Sequence, residues 1–450
     1  MKQAFFTLVT SILAATLVQS KSILISFDAF GWNYLDKFKV ETPNINRLIK
    51  TGVYANYGIR NEYPTVTLPN HVTLVTGRHV DEHGMVANNM YDPVLNETFK
   101  SWSVANGYDV SEDEVDYEKS TRWFENSAEP IWATIKRQSG KKSISMMWPL
   151  SNFDYRGYRV DAWLGWNVTV PYEERIDQLV AKLDNDEYAF GTLYIEELDM
   201  VIHEHGLEGQ EARDAMVRVD KVVGYLLEKL EMVKLWPCCT DIIITGDHGM
   251  SQVNVDNVIH LPLISDTSKY DIYYQTIISN KGYEEAVFLN LSRATHMRTY
   301  HKYEPTPRAQ HFSRHRRIHD IVYFLDDGYY LSREKPEELD RTKTFWGTHG
   351  YDSRFSSMWP VFIANGPSFK ENVNVNPFNN TQIYCLLCYM HKIDPHADTH
   401  CRTKETDLLF LQTMRNLSFK FTRNFAISAY SLKNMFVTSF VLVIMQNIMC

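Results

Sequence analysis

Cysteine is scarce in this chain: six residues in 450, too few for disulfides to build the fold. Cys385 and Cys388 form a Cys-x-x-Cys pair, but no second pair stands at finger spacing, so a disulfide or a free thiol outranks a zinc finger. With Cys401 they make one late cluster that points to at least one bridge in an oxidising compartment. The pairing of Cys238 and Cys239 stays open. An excess of positive charge is also missing: 46 Lys and Arg against 55 Asp and Glu give a formal charge of −9. A general nucleic-acid binder needs a basic face, and that class is excluded. Internal repeats, low-complexity blocks and interdomain linkers are absent, so one large globular unit is expected.

The two ends differ from the middle. Lys2 precedes an apolar run over 4–18, and Val18-Gln19-Ser20 offers small residues for cleavage. This is the form of a signal peptide over 1–20. Asn-x-Ser/Thr sequons at Asn96, Asn167, Asn290, Asn379 and Asn416 fit a glycosylated ectodomain over 21–425. The stretch 434–450 carries no charge and is rich in Phe, Val, Leu, Ile and Met. It sits at the short end of what spans a ~30 Å hydrocarbon core. A C-terminal single-pass anchor and a GPI-attachment signal remain alternatives, and both place the protein at the cell surface.

Between the ends, short β-branched runs at 22–27, 143–148, 190–195, 241–245 and 360–364 suit strands buried on both faces. Helical patterns lie at 173–183 and 210–233, with the apolar residues of each on one stripe. Alternation of strand and helix predicts an α/β fold with a mostly parallel central sheet flanked by helices. The Arg- and His-rich stretch 293–319 reads as a solvated loop.

Ligands of such sheets gather beyond the carboxyl ends of strands, and chemically able residues stand there. Asp28 closes Ser26-Phe27-Asp28; Asp247 and His248 follow the run 241–245. Asp199 and His203 are spaced i, i+4, and His349 lies in Gly347-Thr348-His349-Gly350. Sixteen histidines decide nothing by number; these three share a pattern with three aspartates. Carboxylate oxygens and neutral imidazoles are the usual ligands of catalytic zinc. Three Asp and three His fill two ions once a nucleophilic oxygen is added, and Thr67, in Pro64-Thr65-Val66-Thr67-Leu68-Pro69-Asn70-His71, is the chosen source. Each piece alone is more often a cap, a surface pair or a turn; the conjunction is what carries the reading.

These segments resemble those of the ecto-nucleotide pyrophosphatase/phosphodiesterase family, within the alkaline phosphatase superfamily, from about 23 to 409. The resemblance implies an alkaline phosphatase-like core in a compact, membrane-anchored member. It implies two Zn²⁺ ions, one held by Asp199, His203 and His349, the other by Asp28, Asp247, His248 and the Thr67 oxygen. Asn88, in Met85-Val86-Ala87-Asn88-Asn89, matches the family asparagine that bonds the phosphoryl oxygen. Trp148 and Trp166 align with aromatic pocket positions, with Leu68 beside the nucleophile. Three departures concern the pocket and not the metals: Val66 replaces a frequent lysine, Leu68 a frequent phenylalanine, and Asn152 an acid found in some nucleotide-cleaving members.

The implied reaction is hydrolysis of extracellular nucleotides or dinucleotides through a threonyl-nucleotide intermediate, releasing a nucleoside 5′-monophosphate. Two competitors stand beside it: a choline-phosphodiester lipid hydrolase on the same metals, and a catalytically silent cell-surface binding protein. A complete ligand set with a nucleophile argues against the silent reading.

Overall fold

Burial on both faces is the rule for the central strands: every residue of Lys21–Phe27 and Tyr188–Ile195 is buried. Such runs form strands only where helices cover both sides of a sheet. The computed structural model describes residues 21–100, 122–123, 128–340 and 342–401. In chain order the main sheet is built from β1 (Lys21–Phe27), β2 (Val53–Ala55), β3 (Lys142–Met146), β4 (Ala162–Leu164), β5 (Tyr188–Ile195), β6 (Thr240–Thr245), β7 (Phe362–Asn365) and β8 (Val373–Val375). They lie side by side as β8-β2-β7-β6-β1-β5-β3-β4. Only β7 runs against its neighbours, so the expected α/β fold with a mostly parallel sheet is the fold found.

Alternation along β1 assigns the two faces. Ile23, Ile25 and Phe27 join a core with the apolar stripes of helices Tyr172–Leu183 and Gln210–Met232. Ser22 and Ser26 point the other way, to buried histidines: Ser22 Oγ lies 2.7 Å from His391 Nε2 and Ser26 Oγ 2.9 Å from His71 Nε2. A second, antiparallel sheet of four strands, Tyr270–Tyr273, Thr276–Ser279, Ile321–Leu325 and Met297–His301, has its own small core.

The five expected strands exist with shifted ends. The second run, 143–148, stops at Met146 because Met147 takes φ +60°, a left-handed conformation that no strand continues. The last begins at Phe362, past Pro360, which has no N–H for a ladder. Cys385 is bonded to Cys401, Cys238 to Cys239, and Cys388 is a buried free thiol. Asn96 and Asn167 are exposed; Asn290 and Asn379 are partly so. The stretch 293–319 departs from its reading as a solvated loop. It holds the strand Met297–His301 and the helix Pro305–Ala309, and Arg317 is buried against Asp92 at 2.8 Å. The signal peptide 1–20, Asn416, the ectodomain boundary at 425 and the segment 434–450 lie outside the described residues. Among the described residues no helix is long and apolar enough to cross a membrane.

Candidate active site

Parallel pairing sets the floor of the site. β1 lies between β5 and β6, with Phe27 opposite Ile195 and Ser26 opposite Thr245, so the three strands end at one level. Asp28 follows β1, and Asp247 and His248 follow β6 after a single glycine. The helix Glu197–His205 starts just beyond β5, with Asp199 in its first turn and His203 one turn on, on the same helix face. His349 comes from strand Phe345–Thr348, which pairs Thr348 with Ser251, three residues past His248.

Thr67 opens the helix Thr67–Thr76, entered through an extended Val66. Buried Asn70 fixes that entry: its Oδ1 accepts from the Glu62 amide, and its Nδ2 donates to the carbonyls of Pro64 and Val66. The first residue of a helix sits in a field that favours negative charge. Asn88 comes alongside, its Oδ1 accepting from the Leu68 amide at 2.8 Å, which leaves its amide nitrogen for other partners.

The polar atoms of the cluster are aimed, and several lack partners. His203, His248 and His349 each place Nδ1 2.9–3.0 Å from a backbone carbonyl, of Gly347, Gly249 and Thr65 respectively. With Nδ1–H donating outward, each Nε2 presents a lone pair to the interior, the arrangement that second-shell bonds give to metal-binding histidines. Asp247 Oδ1 accepts from the amides of Ala29 and His248, which turns Oδ2 inward. Asp28 Oδ1, Asp199 Oδ1, Asp247 Oδ2 and His248 Nε2 are all buried without a hydrogen-bond partner. An unpaired buried polar atom costs ~1–3 kcal/mol, more when charged, so four in one place call for cations. Ligand atoms of Asp199, His203 and His349 lie within 4.8 Å of one another, as do those of Asp28, Asp199 and His248. The donor set fits divalent metal ions, with Asp199 in both groups.

Electrostatics divides the three histidines: against burial, Asp199 raises His203 and Asp247 raises His248, whereas His349 is lowered. Burial, then the charges of Asp199 and Asp247, push the Asp28 carboxyl well above the usual carboxylate range. Burial, then His248, lowers His349 to about 3, which keeps it neutral. Burial opposes ionisation of Asp199 and Asp247, yet the facing histidines hold both below their ordinary value.

A cavity of about 1220 Å³ opens over the cluster, lined among others by Asp28, Thr67, Asn88, Trp166, Asp199 and His203. Ligand pockets for small molecules run to ~300–1,000 Å³, so there is room for more than a mononucleotide. Trp166 tilts against Tyr194, ring centroids 5.8 Å apart. Leu68 and Trp148 are placed elsewhere. Leu68 is 0 % exposed in a core with Tyr63 and Phe312. Trp148 is 2 % exposed, its ring edge-on to His71. Neither is among the residues lining the cavity, because each turns into a buried environment instead.

A family model described as type I phosphodiesterase / nucleotide pyrophosphatase matches residues 22–352. The chain is 33% identical over 407 residues to human ectonucleotide pyrophosphatase/phosphodiesterase family member 5, covering 87% of this chain and 80% of the relative. The chain belongs to this phosphodiesterase family. Human bis(5′-adenosyl)-triphosphatase ENPP4 is 31% identical over 434 residues, 95% of this chain and 89% of that one. A solved structure of the murine member 5, an inactive threonine-to-alanine variant in complex with AMP, superposes with a TM-score of 0.78 at 30% identity. It covers 87% of this chain and all of that one. The protein is thus an enzyme of the nucleotide pyrophosphatase/phosphodiesterase class, with candidate metal-binding residues in place.

Sequence reasoning missed several residues of this phosphodiesterase site. Tyr194 donates its hydroxyl to Asp28 Oδ2, and its signal was its place one residue short of the end of β5. His71, one turn into the Thr67 helix, bridges the Thr67 carbonyl and Ser26. Arg175, fully buried, forks onto Glu196 at 2.7 and 3.1 Å and so fixes the turn before Asp199. Tyr274, at the tip of a hairpin, had no local signal.

Proposed function

We propose that the protein hydrolyses phosphodiester or pyrophosphate bonds of extracellular nucleotides or dinucleotides, with two Zn²⁺ ions and Thr67 as nucleophile, releasing a nucleoside 5′-monophosphate. One observation carries the reading: Asp28, Asp199, His203, His248 and His349 fall into two ligand groups that share Asp199, and Thr67 lines the same cavity as Asp28, Asp199, His203 and His349; Asp247 belongs to neither group, but its Oδ2 lies 3.1 Å from His248 Nε2. Asp199, His203 and His349 would hold one ion; Asp28, Asp247, His248 and the Thr67 oxygen the other. When bound, the ions favour the alkoxide form of the threonine and neutralise charge on the phosphoryl and leaving oxygens.

The chain's own residues do the rest. Thr67 Oγ1 attacks phosphorus, the bond to the leaving oxygen breaks with its electron pair, and the nucleotide is held on the threonine until water releases it. Asn88 donates from its amide nitrogen to a phosphoryl oxygen, where a preorganised donor is worth most. Trp166 offers a face on which a base stacks with little discrimination. The inactive threonine-to-alanine relative bound to AMP supports the nucleophile and the product class, and the relative named a bis(5′-adenosyl)-triphosphatase supports dinucleotides as substrates. Relatives named as ectonucleotide enzymes support an extracellular place, reached through the signal peptide 1–20, with 434–450 serving as a single-pass anchor or as a GPI-attachment signal.

A substrate panel on the purified ectodomain, with and without chelator and with products scored by mass, tests this. Diadenosine triphosphate and a nitrophenyl ester of thymidine monophosphate should be turned over, and chelator should stop both. Turnover confined to nitrophenylphosphorylcholine would replace the reading with the lipid hydrolase, and no turnover at all with the silent binding protein.

A further inference from the structure

The cavity carries a second aromatic station besides Trp166. Tyr330 opens the strand Tyr330–Ser332, and Trp346 lies in the strand Phe345–Thr348. Both line the cavity, and their rings meet edge-on with centroids 5.6 Å apart. Aromatic pairs favour this arrangement, and the ring that gives its edge keeps both faces clear of its partner. Tyr330 is 39 % exposed, so the core does not consume its aromatic surface.

The two stations belong to different sides of the candidate metal cluster. Trp166 packs on Tyr194, whose hydroxyl donates to Asp28. Trp346 stands three residues before His349. Its strand packs through Gly347 on Ile202 of the helix Glu197–His205, which carries Asp199 and His203. In an in-line displacement the attacking and leaving oxygens lie on opposite sides of phosphorus. With Thr67 attacking from the Asp28 side, the leaving group departs toward His349, Trp346 and Tyr330.

The flanking residues narrow what that group is. Arg333, Glu334, Asp340 and Lys343 also line the cavity and are exposed. Lys343 Nζ lies 3.4 Å from the His203 carbonyl, and Asp340 Oδ1 accepts from the Thr342 amide and hydroxyl. Two charges of each sign cancel, so this wall makes no one-signed field to trap a bare polyphosphate. Four charged groups also oppose an acyl chain, which would strip them of water. What remains is an aromatic face among polar groups, the surface on which a nucleobase stacks.

We infer that Tyr330, backed by Trp346, is the stacking site for a second nucleobase, that of the leaving nucleotide, and that the enzyme prefers dinucleoside polyphosphates to nucleoside triphosphates. This rests on the proposed reading of Thr67 as the nucleophile of a nucleotide phosphodiesterase. The stacked base is held equally in the ground and transition states, so loss of the ring raises KM and leaves kcat nearly unchanged.

Diadenosine triphosphate and ATP test it, because both yield AMP and only the first departs with a second base. Wild-type kcat/KM should be higher for diadenosine triphosphate. Tyr330→Leu, which keeps apolar bulk without a ring, should raise KM for diadenosine triphosphate ~5–100-fold and leave KM for ATP and metal content at the wild-type level. Tyr330→Phe, which keeps the ring, should hold KM near wild type on both substrates. An unchanged KM for diadenosine triphosphate in Tyr330→Leu, or an equal loss on both substrates, overturns the second-base site. A wild-type enzyme that turns over neither substrate would instead remove the nucleotide reading, and the site with it, a different and recognisable result.

Discussion

Gly347 packs against Ile202 where strand Phe345–Thr348 meets helix Glu197–His205, the two walls of the candidate metal-binding group Asp199, His203 and His349. A Cβ at this position would stand 2.5 Å from the Ile202 carbonyl oxygen and 2.6 Å from Ile202 Cγ2. Ordinary contact begins near 3.4 Å, so Gly347→Ala must separate strand Phe345–Thr348 from helix Glu197–His205 by about 0.9 Å. Helix backbone cannot yield as a flexible side chain would. The same separation acts on the bond from His203 Nδ1 to the Gly347 carbonyl, now 2.9 Å, and stretches it past the hydrogen-bonding range. His203 and His349 lie on opposite sides of that seam, so their ligand atoms part. Losing a second-shell partner of a metal ligand typically costs ~10–100-fold in affinity, and overpacking costs ~1–3 kcal/mol of stability. Competition with a chromogenic chelator reads the zinc affinity, and thermal unfolding reads the stability. Gly140→Ala is the control for stability lost without a clash: nothing lies within 4 Å of its Cβ, but its φ of +69° strains a side chain, so it should lose stability and keep metal affinity. Wild-type zinc affinity in Gly347→Ala would refute the seam as the support of that metal group.

Two further outcomes are expected. Trp166→Ala, which removes the aromatic face beside Tyr194, should raise KM for nucleotide substrates ~5–100-fold, the worth of a stacked base, with kcat little changed; an unaltered KM would take Trp166 out of substrate binding. Away from the cavity, Glu82 is held down at about 2 against the opposing effect of burial, chiefly by the His400 ring 2.6 Å away. A depressed carboxyl contributes stability above its unfolded value, near 4.5, and loses it as pH falls toward 2. The melting-temperature gap between wild type and Glu82→Gln should therefore be full at pH 6 and shrink below pH 4.5; a gap independent of pH contradicts the ion pair.

What could be read from the amino acids follows from how each part is specified. Asp28, Asp247 and His248 were legible because each follows a short run dominated by Ile, Leu and Phe, a pattern that suits a strand buried on both faces. Asp199 and His203 were legible because i, i+4 spacing fixes a shared helix face whatever the tertiary context. Leu68 and Trp148 show the limit. Their positions beside Thr67 and at the end of β3 are clear from the chain, but which way a side chain turns is decided by packing, and both turn into the core. The strands β2, β4 and β8 are three residues each, too short for periodicity to register. Stretch 293–319 looked solvated because charge was counted without partners; Asp92, some two hundred residues earlier, supplies them to Arg316 and Arg317. Tyr274 was invisible because a turn tyrosine at φ +52° contradicts local preference and its place on the cavity wall is set by distant Tyr323.

The central claim is that Thr67 forms a covalent bond to the substrate within this cluster, and acid quenching during turnover of diadenosine triphosphate tests it most directly. Peptide mass spectrometry should find an adenylyl group on the peptide bearing Thr67, absent after chelation and absent from Thr67→Ala, which should retain its fold and lose turnover. An adduct on another residue, or undiminished turnover by Thr67→Ala, would contradict the account.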